Sequence, residues 1–357
     1  MPRFAANLTM LWPELDVYDR FRAAAEAGFR RVEILFVHEL DPARVERTLK
    51  EYGLELVLFD PAPGNWAGGE RGLLSLPGRD DEFLRTVRDA VTSAQRFGTR
   101  LLNALAGIPP SGVSRGDAER TAVANLRAAA PLAQEIGATL LVEAINSVDM
   151  PGYFADTVDR AAALVEAAGT PSVRLQLDQY HVGMAGADAR AALRRYSSLV
   201  AHVQVADVPG RNQPGTGKQP IRELLRDLDE LGYRGSVGLE YRPRGSMDEA
   251  LAWLPRAQRG QRKFSNGFSP ADQDGRTPSC IWKSGPSCSV KTTYTAARGT
   301  PSVRSSSSMA ASAKRRFWSG VRPRRRSALR NAIPCVGSSA RPNVRSPRAP
   351  QRRETAM

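Results

Sequence analysis

Four apolar runs in this chain each end on a side chain that offers oxygen. They are Leu140-Leu141-Val142-Glu143, Val173-Arg174-Leu175-Gln176-Leu177-Asp178, Leu199-Val200-Ala201-His202-Val203-Gln204 and Ser236-Val237-Gly238-Leu239-Glu240. Short runs rich in branched apolar residues read as strands covered on both faces, the condition of a parallel sheet. The terminal residues Glu143, Asp178, Gln204 and Glu240 stand 35, 26 and 36 positions apart, each interval fitting one strand and one helix. The carboxyl ends of parallel strands are where such folds carry their chemistry. If the four strands are neighbours in a closed barrel, their tips converge, and an all-oxygen set suits a hard divalent cation.

The rest of residues 1–255 keeps the same rhythm. Strands are expected over 4–10, 31–36, 54–59 and 100–104, ahead of the four runs. Helices are expected over 16–27, 41–52, 80–97, 117–136, 156–168, 187–196, 221–231 and 247–254. Asp41 followed by Pro42 opens one of them as cap and first turn, and Gly28 and Gly53 stand where helices end. Eight such units in this length imply a (β/α)8 TIM barrel. The rival, a doubly wound open sheet, would carry a glycine-rich phosphate turn after its first strand, and Ala6-Asn7-Leu8-Thr9-Met10 is nothing like one. Residues 60–79 break the pattern. Rich in Gly and Pro, with Trp66, Glu70 and Arg71, they read as a functional loop or lid.

The formal charge of +14 belongs to the end of the chain. Residues 256–357 hold 22 Lys and Arg against three acids, Asp272, Asp274 and Glu354, whereas residues 1–255 carry a net −5. Ser, Arg, Pro and Gly dominate after 255 and aliphatic periodicity vanishes, so a disordered basic C-terminal tail is expected there. A basic nucleic-acid or membrane arm is its other reading. Cys280, Cys288, Cys335, Trp282 and Trp318 fit no zinc or RNA-binding spacing, and no nucleic-acid partner is expected. Residues 1–255 have no cysteine, no signal-like N-terminus and no apolar run of membrane-spanning length, which suits a cytoplasmic enzyme without a membrane partner.

Longer stretches then carry a resemblance. They are Arg3-Phe-Ala-Ala-Asn-Leu-Thr-Met-Leu11, Gly28-Phe-Arg-Arg-Val-Glu33, Gly64-Asn-Trp-Ala-Gly-Gly-Glu-Arg-Gly72, Glu143-Ala-Ile-Asn146, Pro151-Gly152, Asp178-Gln-Tyr-His181, Gln204-Val-Ala-Asp207, Pro214-Gly-Thr-Gly217 and Gly238-Leu-Glu-Tyr241. Residues 1–255 thus resemble the hydroxypyruvate isomerase family, among the xylose-isomerase-like TIM barrels. The resemblance implies a divalent metal held by Glu143, Asp178, Gln204 and Glu240. Gln204 stands where related ketose 3-epimerases usually have His, which favours the hydroxypyruvate branch and Mg²⁺ or Mn²⁺. The end of the third strand, Leu-Phe-Asp-Pro-Ala-Pro, differs from members that carry a His near Phe59, so 2-oxo-tetronate isomerisation stays open, as does ketose 3-epimerisation.

The implied reaction interconverts hydroxypyruvate and tartronate semialdehyde by proton transfer through an enediolate. Two carboxylates flanking the substrate suit that transfer, and Glu143 and Glu240 are the candidate catalytic residues. His181, just past its strand end, is a candidate for a substrate oxygen, and Arg211, on the loop after the seventh strand, is another. Arg71 is the first candidate for the substrate carboxylate, since a guanidinium matches it in two places; the competing reading pairs Arg71 with Glu70 or another loop acid. His202 and Glu33 read equally as buried structural groups or as supports of the site, His38 as a loop residue, and Trp12 and Trp66 as packing or pocket walls. The partner expected is a small-molecule substrate, hydroxypyruvate or a related 2-oxo acid, and a homo-oligomer is left open. An abasic-site endonuclease of similar fold would need many His ligands, and the chain has three His. A hydride-shift isomerase would want a well-placed Lys, and neither Lys50 nor Lys218 is one.

Overall fold

A computed structural model describes residues 2–260 of the chain. The strands are β1 (Arg3–Asn7), β2 (Arg31–Glu33), β3 (Glu55–Phe59), β4 (Leu101–Asn103), β5 (Thr139–Glu143), β6 (Val173–Asp178), β7 (Val200–Gln204) and β8 (Ser236–Leu239). All pair in parallel and in chain order, and β8 returns to β1 through Phe4 opposite Val237, so the sheet closes on itself. Around it run α1 (Val17–Glu26), α2 (Pro42–Tyr52), α3 (Asp80–Phe97), α4 (Arg115–Glu135), α5 (Val158–Ala168), α6 (Gln179–Met184), α7 (Ala189–Tyr196), α8 (Ile221–Glu230), α9 (Met247–Leu251) and α10 (Arg256–Arg259). The (β/α)8 barrel expected from the sequence is the fold.

Local chemistry sets the element ends. Asp41 caps α2 by accepting from the Ala43 N–H with Pro42 in the first turn, and Gly53 closes it in the left-handed region at φ 61°. Several expected bounds shift: β1 stops at Asn7 and α9 at Leu251, each three residues short of expectation. β2 stops at Glu33, because its register against β3 slips between Val32 and Glu33. α4 starts two residues before Asp117, because the Ser114 hydroxyl captures the Asp117 N–H at 3.1 Å. α6 was not foreseen. It starts directly from the end of β6, with the Asp178 side chain capping the Tyr180 N–H at 2.8 Å.

Most of the core lies between strands and helices. Phe4, Phe21, Phe29, Phe59, Leu102, Leu126 and Leu140 are fully enclosed there, each side chain contributing roughly 1.5–3 kcal/mol by leaving water. A small separate cluster of Ala5, Val57, Leu58 and Leu141 packs apart from this layer. Alternation along a strand then puts Asn7, Asn103, Glu143, Asp178 and Gln204 at the ends of the inward-facing rows. Strand geometry alone delivers polar groups to the mouth.

The loop 60–79 is only partly lid-like. Its second half is built into the fold. Leu73 and Leu74 are buried, Ser75 N–H bonds Ala106 O at 2.9 Å, and Asn125 Nδ2 holds Leu74 O at 3.0 Å. Gly72 sits at φ 124°, where an added Cβ would lie 2.2 Å from Leu105 O, so only glycine lets these backbones meet. The tip, 65–70, is the exposed part.

Order continues past Pro255. Arg259 donates to Leu251 O at 2.9 Å, Leu254 O at 3.0 Å and Ala27 O at 3.0 Å, fastening α10 to the end of α1. Beyond Gly260 the expected tail lies outside the described residues. No helix of the described residues is long and apolar enough to cross a membrane.

Candidate active site

The strand ends converge on a buried acidic group. Glu143 closes β5, Asp178 closes β6, and Glu240 follows β8; all three are at most 4 % exposed. Ligand atoms of Glu143, Asp178 and His181 lie within 4.8 Å of one another. Asn103, at the end of β4, donates Nδ2 to Glu143 Oε2 at 2.8 Å and so fixes that carboxylate from one side. Arg211 brings the compensating charge. Its Nη2 lies 2.9 Å from Glu240 Oε1 and 3.4 Å from Asp178 Oδ2, and its guanidinium carbon stacks 4.9 Å from the Tyr180 ring centre. Arg211 holds the left-handed backbone conformation at φ 53°, which residues other than glycine adopt rarely.

His181 has a defined tautomer. Its Nδ1 faces the Asn146 N–H at 3.3 Å and Asn146 Nδ2 at 2.7 Å, both donors, which leaves the proton on Nε2, 3.5 Å from Asp178 Oδ2. Burial first, and then Arg211, hold its pKa well below the usual histidine range, so the ring is neutral.

The carboxylates repel each other in a dry setting. Burial and the neighbouring acids Glu240, Asp178 and Asp60 push Glu143 well up, with Arg211 pulling the other way. Burial lifts Glu240 to about 8 against the pull of Arg211, and it lifts Asp178 as well. Arg211 itself is disfavoured by burial, but Glu240, Asp178 and Glu143 outweigh that and raise its pKa. A site of this kind gains from a further positive charge. Glu143 and Asp178 offer oxygens close enough to share a divalent cation, with Glu240 and the Gln204 amide at the neighbouring strand ends, and a set of oxygens favours a hard one.

Gln204 is buried opposite Asp178 in the barrel register. Its Nε2 donates to Glu33 Oε1 at 2.9 Å, and its Oε1 accepts from Gln176 Nε2 at 2.6 Å. Arg71 lies on the loop. Its Nη1 bonds Trp66 O at 2.9 Å and Glu70 O at 2.7 Å, and the guanidinium stacks on Trp66, 4.3 Å from the ring centre. Trp66 in turn rests on Phe36 at 4.8 Å. The Glu70 carboxylate pairs with Arg79 instead, so the competing reading, an Arg71–Glu70 ion pair, is not formed. Trp12 is buried edge-on to Phe29 and serves packing. His202 and Glu33 bond each other at 2.8 Å inside the barrel, and His38 is exposed in a short turn.

Three residues escaped the sequence reading of the site. Asp60 follows the apolar run of β3 as Glu143 ends that of β5, and it is buried with its Oδ1 unpartnered. Burial, Glu240 and Glu33 raise its pKa well above the carboxylate range. Asn103 and Asn146 were passed over because an amide carries no charge to mark it. The signal for Asp60 was present, but the proline after it reads as the start of a loop.

Known proteins bear on this arrangement. The profile of the xylose isomerase-like TIM barrel family matches residues 21–257. A 2-oxo-tetronate isomerase of Cupriavidus necator is 41 % identical over 254 residues, which cover 71 % of this chain and 98 % of that one. The hydroxypyruvate isomerase of Escherichia coli is 35 % identical over the same shares. A crystal structure from Brucella melitensis, described as AP endonuclease, family 2, is 41 % identical, covers 71 % of this chain and 98 % of its own, and superposes with a TM-score of 0.69. The chain belongs to the xylose isomerase-like TIM-barrel family, and like its curated relatives it is an isomerase.

Proposed function

We propose that this isomerase interconverts hydroxypyruvate and tartronate semialdehyde, with a divalent cation, Mg²⁺ or Mn²⁺, held by Glu143, Asp178, Gln204 and Glu240. The observation that carries the reading is that one guanidinium, that of Arg211, reaches both Asp178 and Glu240, while Glu143 brings a carboxylate oxygen within 4.8 Å of Asp178. When bound, the cation polarises the substrate carbonyl and stabilises the developing oxyanion.

The protein's own groups do the rest. A carboxylate at Glu143 or Glu240 takes a proton from C3 of hydroxypyruvate, leaving an enediolate across C2 and C3. The proton returns at C2, and the hydroxyl proton passes from O3 to O2, so substrate and product have the same composition. Burial suits both carboxylates to this work, because a base with a raised pKa takes a carbon-bound proton more readily. Neutral His181 presents Nε2–H towards the acids and can donate to a substrate oxygen. Arg211 and Arg71 are the cations available to the substrate carboxylate.

A second reading, 2-oxo-tetronate isomerisation, is favoured by the identity to the Cupriavidus relative. It uses the same groups on a substrate one carbon longer. The experiment is a side-by-side assay of both substrates with metal-depleted protein before and after adding Mg²⁺ or Mn²⁺. Turnover of hydroxypyruvate on metal addition supports the first reading, turnover of 2-oxo-tetronate alone supports the second, and undiminished activity without metal removes both.

A further inference from the structure

One buried carboxylate, Glu33, has no part in the chemistry above. It is fully enclosed in the barrel interior. Its Oε1 accepts from Asn7 Nδ2 at 2.9 Å and from Gln204 Nε2 at 2.9 Å, and its Oε2 faces His202 Nε2 at 2.8 Å.

The donors and acceptors in this network run one way. The Thr9 and Met10 N–H groups donate to Asn7 Oδ1 at 3.0 and 3.2 Å, which leaves Asn7 its NH2 for Glu33. The same Glu33 oxygen that receives the Asn7 NH2 also receives the Gln204 NH2, so it is the amino end of the Gln204 amide that faces Glu33. The Gln204 carbonyl is therefore turned away from Glu33. It accepts Gln176 Nε2 at 2.6 Å and retains a second lone pair. Without such a partner an amide could present either end, and only the oxygen end binds a hard cation.

We infer that Glu33 is a positioning residue, whose acceptor-only carboxylate turns the Gln204 carbonyl oxygen towards a divalent cation held with Glu143, Asp178 and Glu240. The inference rests on the proposed reading of Gln204 as a ligand. Gly238 makes the arrangement possible. A Cβ there would stand 2.3 Å from Glu33 Oε1, so the missing side chain on β8 is the space the carboxylate occupies.

The test is calorimetric titration of Mn²⁺ into metal-depleted full-length protein, with thermal melting of each variant alongside. Glu33→Gln should weaken Mn²⁺ binding by at least about tenfold, the usual effect of removing a group that orients a ligand. Gln204→Leu should weaken it at least as much. In the double variant Glu33→Gln should cost nothing more than about twofold, since it acts through Gln204 alone. A loss that persists in the Gln204→Leu background would mean that Glu33 acts by its charge, and the inference would fall. Wild-type affinity in Glu33→Gln, with affinity lost in Gln204→Leu, would overturn the positioning role and leave the ligand reading standing. Unchanged affinity in Gln204→Leu would overturn both. Should Glu33→Gln not fold, Gly238→Ala displaces the Glu33 carboxylate while keeping its charge, and the same pattern of losses is expected.

Discussion

Arg211 sets its Nη2 2.9 Å from Glu240 Oε1, deep in the mouth of the barrel, where the arginine side chain is 14 % exposed and the glutamate 5 %. The same nitrogen reaches Asp178 at 3.4 Å. A single cation thus stands among acids that would otherwise repel an anionic substrate.

Arg211→Met should lower kcat/KM for hydroxypyruvate by at least tenfold, since loss of a desolvated charge pair costs on the order of 2–5 kcal/mol. Steady-state kinetics at saturating metal checks this. Kinetics equal to wild type would move the role to another cation.

Arg71 is the cation best placed to be that alternative. Its guanidinium stacks on Trp66 and its Nη1 bonds only carbonyls of its own loop, with no carboxylate paired to it among the described residues. Arg71→Met is expected to raise KM for hydroxypyruvate by roughly tenfold, the loss of one charge-assisted contact, with metal content unchanged by elemental analysis.

Glu143→Gln and Glu240→Gln should each reduce turnover by about 10²–10⁴-fold while the circular dichroism and melting curve stay near those of wild type. EDTA should inhibit the wild-type protein. Activity retained in either variant would exclude that side chain from the proton transfer.

Far from the mouth, Asp227 offers a clean pH test. It is 4 % exposed and held by Arg190 at 2.6 and 3.0 Å and by Arg194 at 2.8 Å. The Arg190 hydrogen bonds hold its carboxyl below the usual aspartate range. A depressed folded-state pKa stabilises the protein above the unfolded value, about 3.9, and that contribution is lost as the pH falls through the lower folded value. Asp227→Asn should therefore cost on the order of 2 kcal/mol at neutral pH. The gap between variant and wild type should close as melts are taken from pH 5 to lower pH. A gap independent of pH would mean packing, not charge.

The end of the fold makes a further prediction. A chain ending at Gly260 should melt and turn over like the full-length protein. One ending at Pro255 should melt lower, because it loses the three Arg259 hydrogen bonds that join α9 and α10 to α1. Equal melting of the two would deny α10 a part in the fold.

The sequence by itself determined the barrel and the acids at its mouth. A strand alternates every two residues, so an acid ending an apolar run has its direction assigned by parity, and Glu143 and Asp178 could be placed from spacing alone. Helix caps such as Asp41 and Gly53 are equally local. Tertiary structure decided what depends on distance across the barrel. That Arg211 meets Glu240, that Glu70 chooses Arg79 over Arg71, and that Glu33 meets Gln204 across 171 positions are facts of closure and burial. No local pattern encodes them, because a hydrogen bond forms where two groups are brought out of water together, and only the closed sheet determines which groups those are.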